Sequence, residues 1–145
     1  MARQQYGGDL RLEEFGALLG ESRNPVVFNG EIRTPGDIEE IISRYHETAG
    51  VMTARGTLCR PSLAAEYAEG REWSREERLE KMLCFHRELL DHYTATLCGE
   101  SQLLSKIKPF WEYAEQEIGR KPWKAIKKST NIAKYHSATA MICAD

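Results

Sequence analysis

An α/β segment followed by an all-α bundle is the fold class this sequence predicts, on three observations. Two short apolar runs, Pro25-Val26-Val27-Phe28 and Val51-Met52-Thr53, are rich in β-branched or aromatic residues and bracket one helix-like stretch. Strand, helix and strand within about 30 residues make a βαβ unit, whose strands must run parallel with a right-handed crossover. Beyond Glu72 no strand pattern recurs, and apolar residues repeat at helical spacing to the end of the chain.

The elements follow in order. Leu10, Leu12, Phe15, Leu18 and Leu19 fall close to helical period between Asp9 and Gly20. Pro25 to Phe28 is a continuous apolar run, the pattern of a strand buried on both faces, and Asn29-Gly30 ends it. Thr34-Pro35-Gly36-Asp37 then starts a helix: Thr34 caps the free N–H groups, Pro35 fits the first helical position, and Asp37 completes a capping box. Ile38, Ile41, Ile42 and Tyr45 make its apolar stripe. Val51 to Thr53 is the second strand. Two parallel strands alone leave both sheet edges unpaired, so this part reads as a portion of a larger covered sheet.

Gly70-Arg71 marks the junction to the helical part. Ser74-Arg75-Glu76-Glu77 is a second capping box, and the stripe Leu79, Met82, Leu83, His86, Leu89, Leu90, Tyr93, Leu97 runs on to a stop at Gly99. Leu103, Leu104, Ile107, Phe110, Trp111, Ala114 and Ile118 outline another helix, which Pro109 must kink or restart. Pro122–Lys128 and Asn131–Ile142 form two shorter ones.

The chain has 145 residues, 41% of them hydrophobic and 29% charged. Such a length excludes a complete eight-stranded α/β barrel of roughly 250 residues. Apolar runs are too short for a membrane span of about 20 residues, and Arg3, Asp9 and Arg11 interrupt any leader-like stretch, so a soluble, cytoplasmic chain without a membrane partner is expected. Cys59, Cys84, Cys98 and Cys143 form no CxxC pair and read as reduced, mostly buried thiols. Cys84, His86, His92 and Cys98 do not share one helix face, so no metal site is expected.

Charge is distributed unevenly. From a total of −2, Ser101–Asp145 carries eight basic and four acidic residues, net +4, which leaves −6 on the first hundred residues. Between Ile118 and His136 there are six basic residues and no acid. An acidic front and a basic tail point to different partners, the tail facing a polyanion; a solvated helix face is the other reading of the same charges.

Asn29-Gly30-Glu31 and Ala54-Arg55-Gly56 each follow a strand. Ligands of α/β sheets bind beyond the carboxyl ends of strands, and in barrels the last two βα loops often hold a phosphate. Glycine lets backbone amides approach phosphate oxygens, and Arg55 adds a charged donor fork. Gly30 and Gly56 could equally serve only as turns.

Pro25-Val26-Val27-Phe28-Asn29-Gly30-Glu31-Ile32, followed by Val51-Met52-Thr53-Ala54-Arg55-Gly56, resembles the seventh and eighth strands of tRNA-dihydrouridine synthases, which typically read P-V-x-x-N-G-D/E-I and V-M-I-G-R-G. Gln5-Tyr6-Gly7-Gly8 is similar to the segment after the family's sixth strand, and Lys106-Ile107-Lys108 with Trp111 and Tyr113 resembles its C-terminal helical domain. The likeness runs from about Arg3 to Ile142.

It implies the C-terminal βαβα portion of a TIM (β/α)8 barrel, residues 1–71, followed by a helical tRNA-binding domain, residues 72–145. The implied activity is FMN-dependent reduction of uridine to dihydrouridine in tRNA, with NADPH as reductant. By position, Asn29, Gly30, Glu31, Ala54 and Arg55 would contact FMN, Ala54 standing where the family has glycine. Lys106, Lys108, Tyr113, Lys127 and Lys128 would lie against tRNA, although Tyr113 could equally be core. The family's catalytic cysteine and its flavin-contacting lysine and histidine belong to the barrel's first half, and none of the four cysteines here matches. No catalytic residue is therefore assigned. The chain alone is expected to be inactive, a missing N-terminal half being a possible partner. A non-enzymatic helical RNA-binding module is the alternative.

Overall fold

The computed structural model describes residues 10–143. Helix α1 (Leu12–Glu21) leads into strand β1 (Val27–Asn29), helix α2 (Pro35–Arg44) and strand β2 (Gly50–Met52). The strands pair in parallel with Asn29 opposite Met52, so the expected βαβ unit is present, each strand within two residues of its sequence-based bounds. The capping box at α2 forms as anticipated: Thr34 Oγ1 accepts from the Asp37 amide, and the Asp37 carboxylate accepts from the Thr34 amide at 2.9 Å. Two short helices follow, α3 (Ala54–Cys59) and α4 (Leu63–Glu69). The latter ends at Gly70, whose φ of +66° is a left-handed turn suited to glycine.

Helix α5 (Arg75–Thr96) starts on the Ser74–Glu77 capping box. The helix expected across Leu103–Ile118 is divided. It comprises α6 (Glu100–Ile107), a 3-10 turn (Lys108–Trp111) and α7 (Glu115–Ile118). Pro109 has no N–H to continue the α-helical ladder, and its ring crowds the carbonyl one turn back, so a tighter turn takes over. Gly99, expected as a stop, also opens α6 at φ +86°. Helices α8 (Arg120–Lys128) and α9 (Ile132–Ala140), then a 3-10 turn (Met141–Cys143), complete the described chain. Asn131 caps α9 through its side chain.

Two separate hydrophobic clusters result. In the first, Phe28, Ile32, Ile38, Ile41 and Leu63 are buried. Phe15 packs edge-on against Phe28 and Tyr45 at centroid distances of 5.0 and 5.2 Å, seating α1 on one sheet face. The second gathers residues from Leu79 to Ile142 around Trp111 and Tyr135. His86 lies in it: its Nε2 is 2.6 Å from the Tyr135 hydroxyl, which also accepts from Trp111 Nε1 at 2.9 Å. Burial, with a smaller repulsion from His136, lowers the His86 pKa to about 4. The neutral ring therefore accepts from Tyr135.

Two expectations need correction. Strands buried on both faces are not what forms: Val27 and Met52 are 51% and 48% exposed on the sheet face opposite α1 and α2. A two-stranded sheet has no further layer among the described residues to cover that face. The three thiols whose surroundings are described are not buried either; Cys143 lies outside them. Cys84 lies on the outer side of α5 and Cys98 in the turn after it, both exposed, and Cys59 is half-buried.

Candidate cofactor site and RNA-facing surface

Parallel pairing sends both strands out at the same end of the sheet, which brings their following loops together. Glu31 proves this. Its carboxylate accepts from Arg55 at 3.0 Å and from Arg33 Nε at 2.7 Å. The Arg33 hydrogen bond is the main influence holding the Glu31 carboxyl below its ordinary range; burial opposes it, and the Arg33 and Arg55 charges add to the lowering. Glu31 raises the Arg33 pKa in turn. Two guanidinium groups around one carboxylate leave the cluster with a net positive charge.

Glycine is required by contact both in the loop after β1 and in the first turn of α3. A Cβ on Gly56 would lie 1.9 Å from the Ile32 carbonyl oxygen, so the β2–α3 backbone is pressed directly on the β1–α2 backbone. A Cβ on Gly30 would lie 2.4 Å from the Phe28 ring. Gly56 lies within α3 and makes no turn, so close approach to the Ile32 carbonyl is its role. Asn29, Glu31, Ala54 and Arg55 are exposed at this end, with Gly30 half-buried between them. A guanidinium aligned by Glu31 beside closely packed glycine backbone is a donor set that fits a phosphate monoester. Arg33 escaped sequence reading, although the alternating Glu31-Ile32-Arg33 charges were a usable signal. Gln5-Tyr6-Gly7-Gly8 lies outside the described residues.

A second polar cluster, also missed, sits beyond α3. Glu66 is fully buried. It accepts from Arg60 through both Nε (2.8 Å) and Nη2, from Ser62 Oγ at 2.5 Å, and from the Trp73 amide at 2.8 Å. Burial alone would raise its pKa, but the hydrogen bonds from Arg60, Ser62 and Trp73, with the Arg60 charge, bring it down to about 2. One carboxylate on α4 thereby fixes the link that enters α5.

The basic tail concentrates on α8. Pro122 and Ile126 face the core while Arg120, Lys121, Lys124, Lys127 and Lys128 are all exposed. Arg120 and Lys121 occupy the first turn, where cations oppose the helix dipole. Lys106 is exposed at the end of α6, and Tyr113 is 43% exposed, so Tyr113 is not a core residue. Lys108 also has a structural role. Its Nζ donates to the carbonyls of Lys127 (3.2 Å) and Ser129 (2.5 Å) at the end of α8, which makes it a cap for that helix. The same contact brings the end of α6 beside Lys127 and Lys128.

Parallel strands with adjoining C-terminal loops, followed by a helical bundle carrying one strongly basic helix, define an α/β protein with an all-α extension. The chain belongs to the dihydrouridine synthase (Dus) family, whose model matches residues 2–141. That family consists of oxidoreductases acting on tRNA, built on a TIM barrel and generally dependent on FMN. The resemblance read from the strand motifs is therefore shown, whereas the described residues contain a single parallel strand pair and not a barrel. A search of curated proteins gives no match. Among the described residues no helix is long and apolar enough to cross a membrane.

Proposed function

We propose that residues 1–71 are the last two βα units of a flavin-binding (β/α)8 barrel and residues 72–145 its helical tRNA-binding domain. In this reading the chain supplies the phosphate end of an FMN site and an RNA surface to a tRNA-dihydrouridine synthase. The observation that carries it is the 3.0 Å contact between Glu31 and Arg55, which joins the loop after β1 to the first turn of α3 at the carboxyl ends of two neighbouring parallel strands. FMN held there, with NADPH as reductant, would supply a hydride to the uracil ring, whose saturation also takes up one proton.

The chain's own residues bind and orient. Arg55, steadied by Glu31, meets the phosphate charge, and the backbone at Gly30 and at Ala54-Arg55 approaches its oxygens. Replacing the family glycine by Ala54 keeps the amide and adds one methyl to an exposed position. On the helical side, Lys106, Lys127 and Lys128 with Tyr113 contact tRNA phosphates and sugars; folded RNA is read largely by shape and backbone. Lys108 contributes by holding the end of α8 in place.

The exposed sheet face at Val27 and Met52, with two strand edges unpaired among the described residues, is where the other six strands of an eight-stranded barrel would pack. The catalytic groups of the family belong to those strands. Purified alone, the chain is therefore expected to be colourless, or to hold FMN weakly, and to leave tRNA unreduced. A stoichiometric yellow complex with tRNA-reducing activity from this chain alone would overturn the incomplete-barrel reading.

The basic face of α8 also stands by itself as a non-enzymatic RNA-binding module, with the βα part as scaffold. Salt-sensitive tRNA binding that fails in the Lys127→Ala/Lys128→Ala variant, together with no response of the chain to FMN, would favour that second reading.

A further inference from the structure

We propose that the groove between the α3–α4 turn and the first half of α5 receives one unstacked base of an RNA strand. The proposal rests on the tRNA reading above and deepens it, because it names a contact on elements other than α8. The groove encloses about 370 Å³, within the range of sites that hold a small planar group. Trp73, Met82 and Phe85 supply its apolar wall. Phe85 is 54% exposed at the mouth, supported by Phe110 at a centroid distance of 5.8 Å. An aromatic ring held open to solvent beside a cavity is a stacking platform for any base.

Charge selects the occupant. Arg78 on the groove wall is matched by Glu117 at 3.1 Å, and Arg60 is matched by Glu66. Lys81 remains. It lies one turn before Phe85 on the same helix face, exposed, and among the described residues no carboxylate is within ion-pair distance of it. A stacking surface with one unmatched cation four residues away suits a base and the phosphate attached to it. An apolar protein segment docked here would desolvate Lys81 without a counter-charge, which is unfavourable. The Glu117 carboxylate, paired with Arg78, keeps lone pairs that accept from the edge of the base.

The test uses the full chain and a fluorescently labelled tRNA transcript, with binding followed by anisotropy over a salt series. Four variants are compared: Phe85→Ala, Phe85→Tyr, Lys81→Gln, and the Lys127→Ala/Lys128→Ala pair. Phe85→Ala should weaken binding about fivefold or more with no change in salt slope, because stacking releases no counterions. Phe85→Tyr should restore the affinity. Lys81→Gln should reduce the magnitude of the slope by about one. If the lysine pair weakens binding and Phe85→Ala does not, the groove proposal is overturned and the tRNA reading stands. If no variant changes affinity, both go. A Phe85→Ala loss that Phe85→Tyr fails to restore, or that comes with lost helicity by circular dichroism, marks a folding effect and also overturns the groove.

Discussion

Glu66 is the single side chain on which the junction between α4 and α5 most depends, and replacing it by glutamine tests this. The substitution keeps the shape but removes the charge facing Arg60 and turns one acceptor into a donor. Removing one partner of a buried ion pair costs about 3–5 kcal/mol. Arg60 retains Glu72 at 3.3 Å, which places the loss at the lower end, about 3 kcal/mol. The pKa gives the same scale: a carboxyl held at about 2 instead of 4.5 in a fully buried position corresponds to about 3 kcal/mol. For a chain of 145 residues this lowers Tm by about 6–12 °C. Thermal melts by circular dichroism at neutral pH read the shift directly. Glu66 also sets an acid limit. Its folded pKa lies below the unfolded value, so its stabilisation is complete above about 4.5 and disappears as pH falls towards about 2. Glu66→Gln should lose that part of the acid sensitivity. The double change Arg60→Met/Glu66→Gln should cost less than the single one, because no orphaned charge remains and the glutamine carbonyl still accepts from the Trp73 amide. A Glu66→Gln loss below about 1 kcal/mol, or equal losses in the single and double variants, would refute the reasoning.

Further outcomes follow from other contacts. His86 is held neutral, its pKa lowered from 6.5 to about 4; the unfolded chain binds the proton more readily, so stability should fall as pH drops from about 6.5 to 4, and His86→Phe should flatten that part of a urea-unfolding profile. Tyr135→Phe should destabilise by about 2–4 kcal/mol, since Trp111 Nε1 and His86 Nε2 both lose their partner, as measured by urea unfolding. Gly56→Ala should cost about 2–3 kcal/mol by driving a methyl against the Ile32 carbonyl, seen as a lower urea midpoint. Lys108→Met should lower stability by about 1 kcal/mol through the lost cap on α8, while reducing tRNA affinity less than Lys127→Ala/Lys128→Ala does in the anisotropy assay.

Features that depend on neighbours in the chain were the legible ones. Both capping boxes, Thr34–Asp37 and Ser74–Glu77, are contacts between a side chain and backbone three residues away, so the letters alone determine them. Pro109 likewise forced a break whose position could be read, though the resulting 3-10 turn could not. Helix α4 was missed because seven residues are too few to display a period. Its fully buried Glu66 was missed because the partners arrive from a preceding loop and from Trp73. The proximity of Glu31 and Arg55 was readable, since parallel strands must release their loops at one end. Lys108 was read only as a surface cation. Its role depends on the carbonyl end of α8 folding back against it, a tertiary fact without a local signal.

The central claim is that the loops after β1 and β2 together hold a flavin phosphate, and amide-shift NMR on the labelled chain tests it at affinities too weak to colour the protein. Titrated FMN and inorganic phosphate should both move the amides of Gly30, Glu31, Ala54 and Arg55, riboflavin should leave them in place, and Arg55→Ala should abolish the response. Amides that stay fixed at saturating FMN, or that respond to riboflavin as they do to FMN, would contradict it.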